Sequence, residues 1–366
     1  MLNLLRQLSR PKYETLNRIE IVADNILYNY KQLQARRPAA KIWPVLKSNA
    51  YGHGLKEICQ ILNQSGAEMV VVDSFPEAQI VYKNFRGRVL ILGEMPLSAY
   101  KYCQFRRTEF CLYNPRTLRY LAEEHPGARI HLFLNSGMNR EGIKDIKAFY
   151  QENKAYLNQV KISGLASHLA AEGDKTKEQE KCFLSMISYL QEQGIKPEHI
   201  HLGNSAGFYS EINGLAADTF RVGLALYGYG WPGLKPALKV YSKIVSLQEV
   251  EAGESISYGT DYIVAAKTRT AVIPFGYFEG LDRRLSVADL KFTIKGQPAK
   301  IAGRVSMNLT VLDIHNNPQI ALDDEVELVS LDREASNSVE NLARAMGTIP
   351  YEFLVKLQGN IRRVIV

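Results

Sequence analysis

Ile42-Trp43-Pro44-Val45-Leu46-Lys47-Ser48-Asn49-Ala50-Tyr51-Gly52-His53-Gly54 is the stretch on which the reading of this chain turns. The apolar run 42–46 has the pattern of a buried strand, and Lys47 stands at its C-terminal end. Asn49, Gly52 and Gly54 then break the strand and turn the chain into a helix expected from about Leu55. A lysine so placed has a long arm and a nitrogen that can lose its proton once desolvated, which is what a Schiff-base lysine needs. An isolated lysine at a strand end would simply snorkel to water. Pro44 removes one ladder donor and should sit where its nitrogen faces no partner.

Working outward, apolar strand patterns recur at 42–47, 69–74, 88–93, 109–113, 129–135, 162–167, 199–203 and 219–227. Helical patterns at 55–63, 76–85, 115–124, 144–157 and 178–193 lie between them. Eight strands with intervening helices predict an α/β fold, a TIM-type (β/α)8 barrel, whose active site gathers at the C-terminal strand ends. Polar groups do recur there. Lys47 ends the first strand, Arg140 follows the fifth, His168 ends the sixth, Asn204 and Ser205 end the seventh, and Arg221 lies within the eighth. After Trp231-Pro232-Gly233 the pattern changes to strands at 240–250, 255–264, 270–275, 291–294, 300–305, 309–314 and 325–329, with one helix at 338–346. The predicted organisation is an N-terminal extension over 1–12, a barrel over 13–235 and a mostly β domain over 236–366.

Composition bounds the function classes. The chain has 366 residues, 46% of them apolar and 23% charged, as in a soluble two-domain protein. No apolar run is long enough to span a membrane, and the first twelve residues lack the core of a signal peptide. The net charge of +7 is spread in pairs such as Arg36-Arg37 and Arg283-Arg284, which does not favour a nucleic-acid partner. The four cysteines show no Cys-x-x-Cys or Cys/His spacing, so no metal site is expected and a reduced, cytoplasmic setting is.

Lys47-Ser48-Asn49-Ala50-Tyr51-Gly52-His53-Gly54 resembles the pyridoxal-phosphate motif of the alanine racemase family, and the resemblance runs from about Arg18 to the C-terminus. It implies a homodimer in which the β domain of one copy completes the barrel site of the other. Lys47 would carry pyridoxal 5'-phosphate. Tyr51, Asn204, Ser205, the backbone of Gly223 and Leu224, and Tyr351 would hold its phosphate end. Arg221 would face the pyridine nitrogen with His168 beside it. Arg140 would take the substrate carboxylate, as would the Met307 backbone across the dimer, with Tyr277 nearby. Ser257-Tyr258-Gly259 would supply Tyr258 as a second base to match Lys47, because racemisation needs acid–base groups on both faces of a planar carbanion. The implied activity is racemisation of alanine, supplying D-alanine for peptidoglycan. A racemase of serine or another small amino acid and a non-catalytic cofactor carrier remain open.

The chain departs from that family at named positions. Phe133 stands where a lysine, often carbamylated, is usual, Asn135 and Asn308 where aspartate is, and Ser306 where cysteine is common. Arg140 therefore needs another partner. The candidates are the Asn135 amide, a chloride held between that amide and Arg140, or a water.

Overall fold

The computed structural model describes residues 14–170, 174–209, 217–315 and 317–366, so the extension expected over 1–12 lies outside the described residues. Val22–Ala237 forms one compact unit, the first, and Leu238–Val366, together with the described residues up to Ile21, forms the second. The boundary drawn at residue 13 is thereby corrected. Strand β1, Arg18–Ile21, pairs antiparallel with β10 (Leu238–Lys243) and parallel with β17 (Arg362–Ile365), so it belongs to the second unit's sheet.

In Val22–Ala237 the eight expected strands are present: β2 (Lys41–Pro44), β3 (Met69–Val72), β4 (Arg88–Ile91), β5 (Thr108–Leu112), β6 (Arg129–Phe133), β7 (Lys161–Ala166), β8 (His199–His201) and β9 (Thr219–Val222). Strands β3 to β8 pair in parallel in sequence order, and β9 returns to pair in parallel with β2. A bridge Val45–Val71 joins β2 to β3, and the Arg221 N–H donates to the Gly203 carbonyl at 3.1 Å to join β8 to β9. The ring of a (β/α)8 barrel follows. Pro44 closes β2, and the contact with β3 comes only beyond it, which is how the chain tolerates a missing donor.

Local chemistry sets the helices. The Ser74 hydroxyl and Glu77 carboxylate form a capping box on Phe75–Asn84, with Pro76 in its first turn. Asn114 and Asp145 cap Pro115–Glu124 and Ile146–Leu157. The barrel strands are buried along almost their whole length, so their sequences read as continuous apolar runs. His131 interrupts one such run inside β6. A Cβ on Gly164 of the neighbouring β7 would lie 2.0 Å from its Nδ1, so only glycine leaves room for this imidazole.

The second unit holds a nine-stranded sheet in the order β11-β12-β15-β14-β13-β16-β10-β1-β17, where β11 is Ser246–Val250, β12 Thr268–Ile273, β13 Lys291–Ile294, β14 Gln297–Ile301, β15 Thr310–Asp313 and β16 Glu325–Val329. The strand expected over 255–264 is instead an irregular hairpin with a single bridge, Ser255–Ile263. Positive φ at Ser257 (66°), Gly259 (88°) and Thr260 (51°) takes its backbone out of the extended region. No helix among the described residues is long and apolar enough to cross a membrane.

Replacing Gly164 by alanine should cost about 1–3 kcal/mol, because the added methyl meets the His131 ring rather than open space. The denaturant midpoint measures this, and an unchanged midpoint would mean that His131 can move aside.

Candidate active site

Lys47 opens a single left-handed helical turn. Ser48, Asn49, Ala50 and Tyr51 all have φ between 53° and 56°. Such a run costs about 1–2 kcal/mol per residue for L-amino acids, so it persists only where its surroundings hold it. Here the Ser48 N–H donates to Glu77 Oε1 at 2.6 Å, and the Glu77 Oε2 accepts from the Asp73 N–H at 2.8 Å. The Asn49 Oδ1 accepts from the Leu55 N–H at 2.9 Å and so starts the helix Leu55–Leu62 at the expected position. Lys47 is thereby fixed at the root of a braced turn, with Nζ 3.9 Å from Asp73 Oδ1. Glu77 is a residue that sequence reasoning passed over, although Ser74-x-x-Glu77 was a readable capping signal.

The same turn carries Tyr51 under the barrel mouth. A Cβ on Gly223 would lie 2.4 Å from the Tyr51 hydroxyl, so the glycine lets that hydroxyl close on the backbone after β9. The Ser205 hydroxyl accepts from the Gly223 N–H at 3.2 Å, and the Asn204 Oδ1 accepts from the Gly207 N–H at 3.0 Å. Leu224 follows Gly223 in a buried turn. Tyr51, Asn204, Ser205, Gly223 and Leu224 thus gather into one cradle of hydroxyls and amides, the donor set suited to a phosphate.

Arg221 of β9 is buried at 4% exposure inside the barrel. Its Nη1 donates to His201 Nδ1 at 2.5 Å and to the His201 carbonyl at 2.9 Å, and its Nη2 donates to the Ser167 carbonyl at 2.6 Å. His168 Nδ1 lies 3.3 Å from Nη2. Burial draws the guanidinium down to about 10, still cationic at neutral pH. Burial, with the charges of Arg221, Arg140 and Lys47, draws His168 down to about 3, so it faces Arg221 as a neutral acceptor.

Arg140 stands in the loop after β6. The Leu134–Ile143 bridge ties both ends of this loop together, and Asn135 Oδ1 accepts from the Gly137 and Asn139 N–H groups within it. Asn135 is therefore spent on its own turn, and its amide does not turn to Arg140. Glu141 does: its Oε1 accepts from Arg140 Nη2 at 2.7 Å and Nε at 3.1 Å. Phe133 packs edge-on to Tyr113 at 6.3 Å, and burial, followed by the Glu141 charge, raises the Tyr113 phenol. An exposed ion pair contributes at most about 1 kcal/mol to stability, so the value of Glu141 lies in aiming Arg140.

Tyr258, Tyr277 and Met307 belong to the second unit, where they line one cavity of about 850 Å3 with Val305, Val355 and Lys356. Tyr258 is 71% exposed at the hairpin, whose turn is held by the Ser257 hydroxyl donating to the Arg304 carbonyl at 2.6 Å. A Cβ on Gly276 would lie 2.3 Å from the Ser306 carbonyl oxygen, so the Tyr277 and Met307 loops meet only because position 276 is glycine. Asn308 Nδ2 donates to Glu279 Oε1 at 2.8 Å, a bond an aspartate could not make. Tyr351 lies on the helix Pro350–Lys356 of this unit and does not line the cavity.

Four barrel histidines, His131, His168, His199 and His201, are held below the ordinary range, each chiefly by burial. An unfolded chain would take up their protons from about pH 6.5 downward, before the native one can. Their contribution is therefore complete above that pH and is lost as pH falls towards the folded values of about 3 for His168 and about 4 for His199. Thermal midpoints should decline from about pH 6.5 to about pH 4.5, above the main carboxylate range, and His199→Asn should make the decline shallower. A flat profile would mean that these imidazoles are charged in the native state.

Comparison with known proteins identifies the family. Residues 21–230 match the model of the alanine racemase N-terminal domain and residues 237–365 that of its C-terminal domain. Alanine racemase 2 of Caldanaerobacter subterraneus subsp. tengcongensis is 28% identical, over 95% of this chain and 94% of its own. The alanine racemase of Thermodesulfovibrio yellowstonii is 29% identical, over 94% and 96%. Among solved structures, alanine racemase of D-cycloserine-producing Streptomyces lavendulae superposes with a TM-score of 0.87 at 26% identity, over 97% of this chain and 98% of that one. The enzyme of Clostridium difficile 630 gives 0.88 at 28%, over 97% of each chain. With both domain models matched in order along nearly its whole length, the chain belongs to the alanine racemase family.

Proposed function

We propose that this chain interconverts L- and D-alanine as a pyridoxal-phosphate-dependent homodimer of the cytoplasm, supplying D-alanine for peptidoglycan. The observation that carries the reading is the meeting, in one barrel, of Lys47 on its braced turn, the buried Arg221–His168 pair and the cradle of Tyr51, Ser205 and the Gly223 amide. The cofactor fits this set. A Cβ at position 223 would fill the cradle, Lys47 can bind a carbonyl carbon, and Arg221 offers only donors to a ring nitrogen. Lys47, Tyr51, Asn204, Ser205, Gly223 and Leu224 would hold it, with His168 beside its ring and Tyr351 at its phosphate. When bound, it supplies an electron sink for negative charge at the substrate Cα.

The protein's own groups then move the proton. Lys47 takes the Cα proton from one face while Tyr258 of a second copy gives its own to the other, and the reverse reaction exchanges their roles. Tyr258 suits that task because it stands exposed on a cavity shared with Tyr277 and Met307. Arg140, aimed by Glu141, orients the substrate carboxylate with the Met307 amide of the second copy. Glu141 supplies the negative partner for which a chloride was the sequence-based candidate, so activity should not depend on added chloride.

Three measurements test this. Alanine of either hand, incubated in heavy water with cofactor-loaded protein, should gain deuterium at Cα in both enantiomers; protein with bound cofactor that exchanges none would be a carrier instead. Borohydride reduction followed by peptide mapping should leave the cofactor on Lys47. Lys47→Ala and Tyr258→Phe chains, each inactive alone, should regain one competent site per mixed dimer, and none regained after confirmed exchange would remove Tyr258 from the partner's site. Separately, Glu141→Ala should raise KM for alanine by about tenfold, about 1.4 kcal/mol, and make activity chloride-responsive. An unchanged KM would leave Arg140 without need of Glu141.

A further inference from the structure

Behind Arg221 the barrel interior is polar in a directed way. Four side chains from four strands, Glu109 of β5, His131 of β6, His201 of β8 and Arg221 of β9, form one hydrogen-bonded row, and all are buried. The contacts are 2.5 Å from Arg221 Nη1 to His201 Nδ1, 2.8 Å from His201 Nε2 to His131 Nδ1, and 2.6 Å from His131 Nε2 to Glu109 Oε2. A guanidinium can only donate, so His201 Nδ1 must accept. A neutral His201 then carries its proton on Nε2 and donates to His131 Nδ1. His131 in turn carries its proton on Nε2 and donates to Glu109. Every bond runs from the cation to the carboxylate, and each ring's tautomer is set by its neighbour.

The far end is fixed as firmly as the near one. The other Glu109 oxygen accepts from Arg88 Nη1 at 2.5 Å and from Arg129 Nε at 2.9 Å. Burial opposes ionisation of Glu109, but the hydrogen bond from neutral His131 and the charges of Arg88 and Arg129 prevail and hold its carboxyl below the usual carboxylate range. The bare Cα of Gly164 leaves the space in which His131 can reach His201.

We propose that Glu109 is a positioning residue for Arg221: it terminates a one-directional row through His131 and His201 that keeps His201 Nδ1 as an acceptor and so holds the guanidinium towards the cofactor ring. This rests on the proposed pyridoxal-phosphate site. The substitution Glu109→Gln shows why the carboxylate matters. Arg88 and Arg129 compete for the single amide oxygen, which leaves the NH2 facing His131 Nε2. That nitrogen must then accept, both histidines shift their protons to Nδ1, and His201 presents a donor to a donor. Nη1 of Arg221 loses its imidazole acceptor, leaving His168 on Nη2 alone, although no contact residue of the cofactor has changed.

The test uses 15N-labelled histidine and two-bond proton–nitrogen correlation spectra of the cofactor-free full chain near neutral pH. His131 and His201 should both carry their proton on Nε2 alone in the unsubstituted protein. A proton on Nδ1 of either ring would overturn the proposal, and this measurement needs no variant. In Glu109→Gln both should move to Nδ1. After loading with cofactor, the variant should show a shifted cofactor absorption band and a kcat about ten- to a hundredfold lower, with KM for alanine within about twofold. Glu109→Asp, which keeps the carboxylate, should restore both. Unchanged tautomers, or changed tautomers with unchanged absorption and kcat, would overturn the positioning role. Protein that binds no pyridoxal phosphate would instead overturn the proposed function, while the cofactor-free spectra still judge the row.

Discussion

A guanidinium buried within a barrel of apolar strands must be matched donor for donor, and much of the first unit's interior answers that demand. Arg221 cannot shed its charge, and an unpaired buried cation would cost more than a domain's typical net stability. Two backbone carbonyls and two imidazoles surround it, and one of those imidazoles leads through a second to the Glu109 carboxylate. Replacing such a row with packed apolar residues would often be neutral for stability. Its presence makes sense as orientation, since each group in it has one allowed hydrogen-bonding direction.

The same logic of bracing applies at the barrel mouth. The turn after Lys47 places four L-residues in the left-handed region, and Glu77 and Asn49 hold it there with side-chain bonds to Ser48 and Leu55. One carboxylate, Glu77, serves both this turn and the start of the helix Phe75–Asn84, so a helix cap and the lysine's platform share a residue. The loop carrying Arg140 is stitched back to the end of β6, and within it Asn135 and Glu141 divide the work: the first closes the turn and the second aims the arginine.

The second unit contributes a different kind of surface. Its sheet interior is apolar and closed, while Tyr258, Tyr277 and Met307 stand out from loops that glycine and left-handed backbone bring together. Exposed apolar groups around a cavity mark a surface that binds something, and the second base proposed for racemisation is among them.

Much of this was legible in the chain itself. Continuous apolar runs announced the barrel strands because both faces of each are covered, and Asn114, Asp145 and Ser74 announced helix starts because capping is local. Lys47, Tyr51 and Arg221 could be named because their neighbours in sequence form contiguous motifs. The rest depended on closure of the ring. Glu109, His131, His201 and Arg221 are separated by 22, 70 and 20 residues, and no spacing rule joins them. Only the parallel register of β5 to β9 brings them into one row. Glu141 as the partner of Arg140, and the irregular hairpin at 255–264 in place of a strand, were hidden for a different reason. Side-chain direction at a loop, and backbone of positive φ, are set by what the folded surroundings will hold, which a one-dimensional pattern of residue types does not contain.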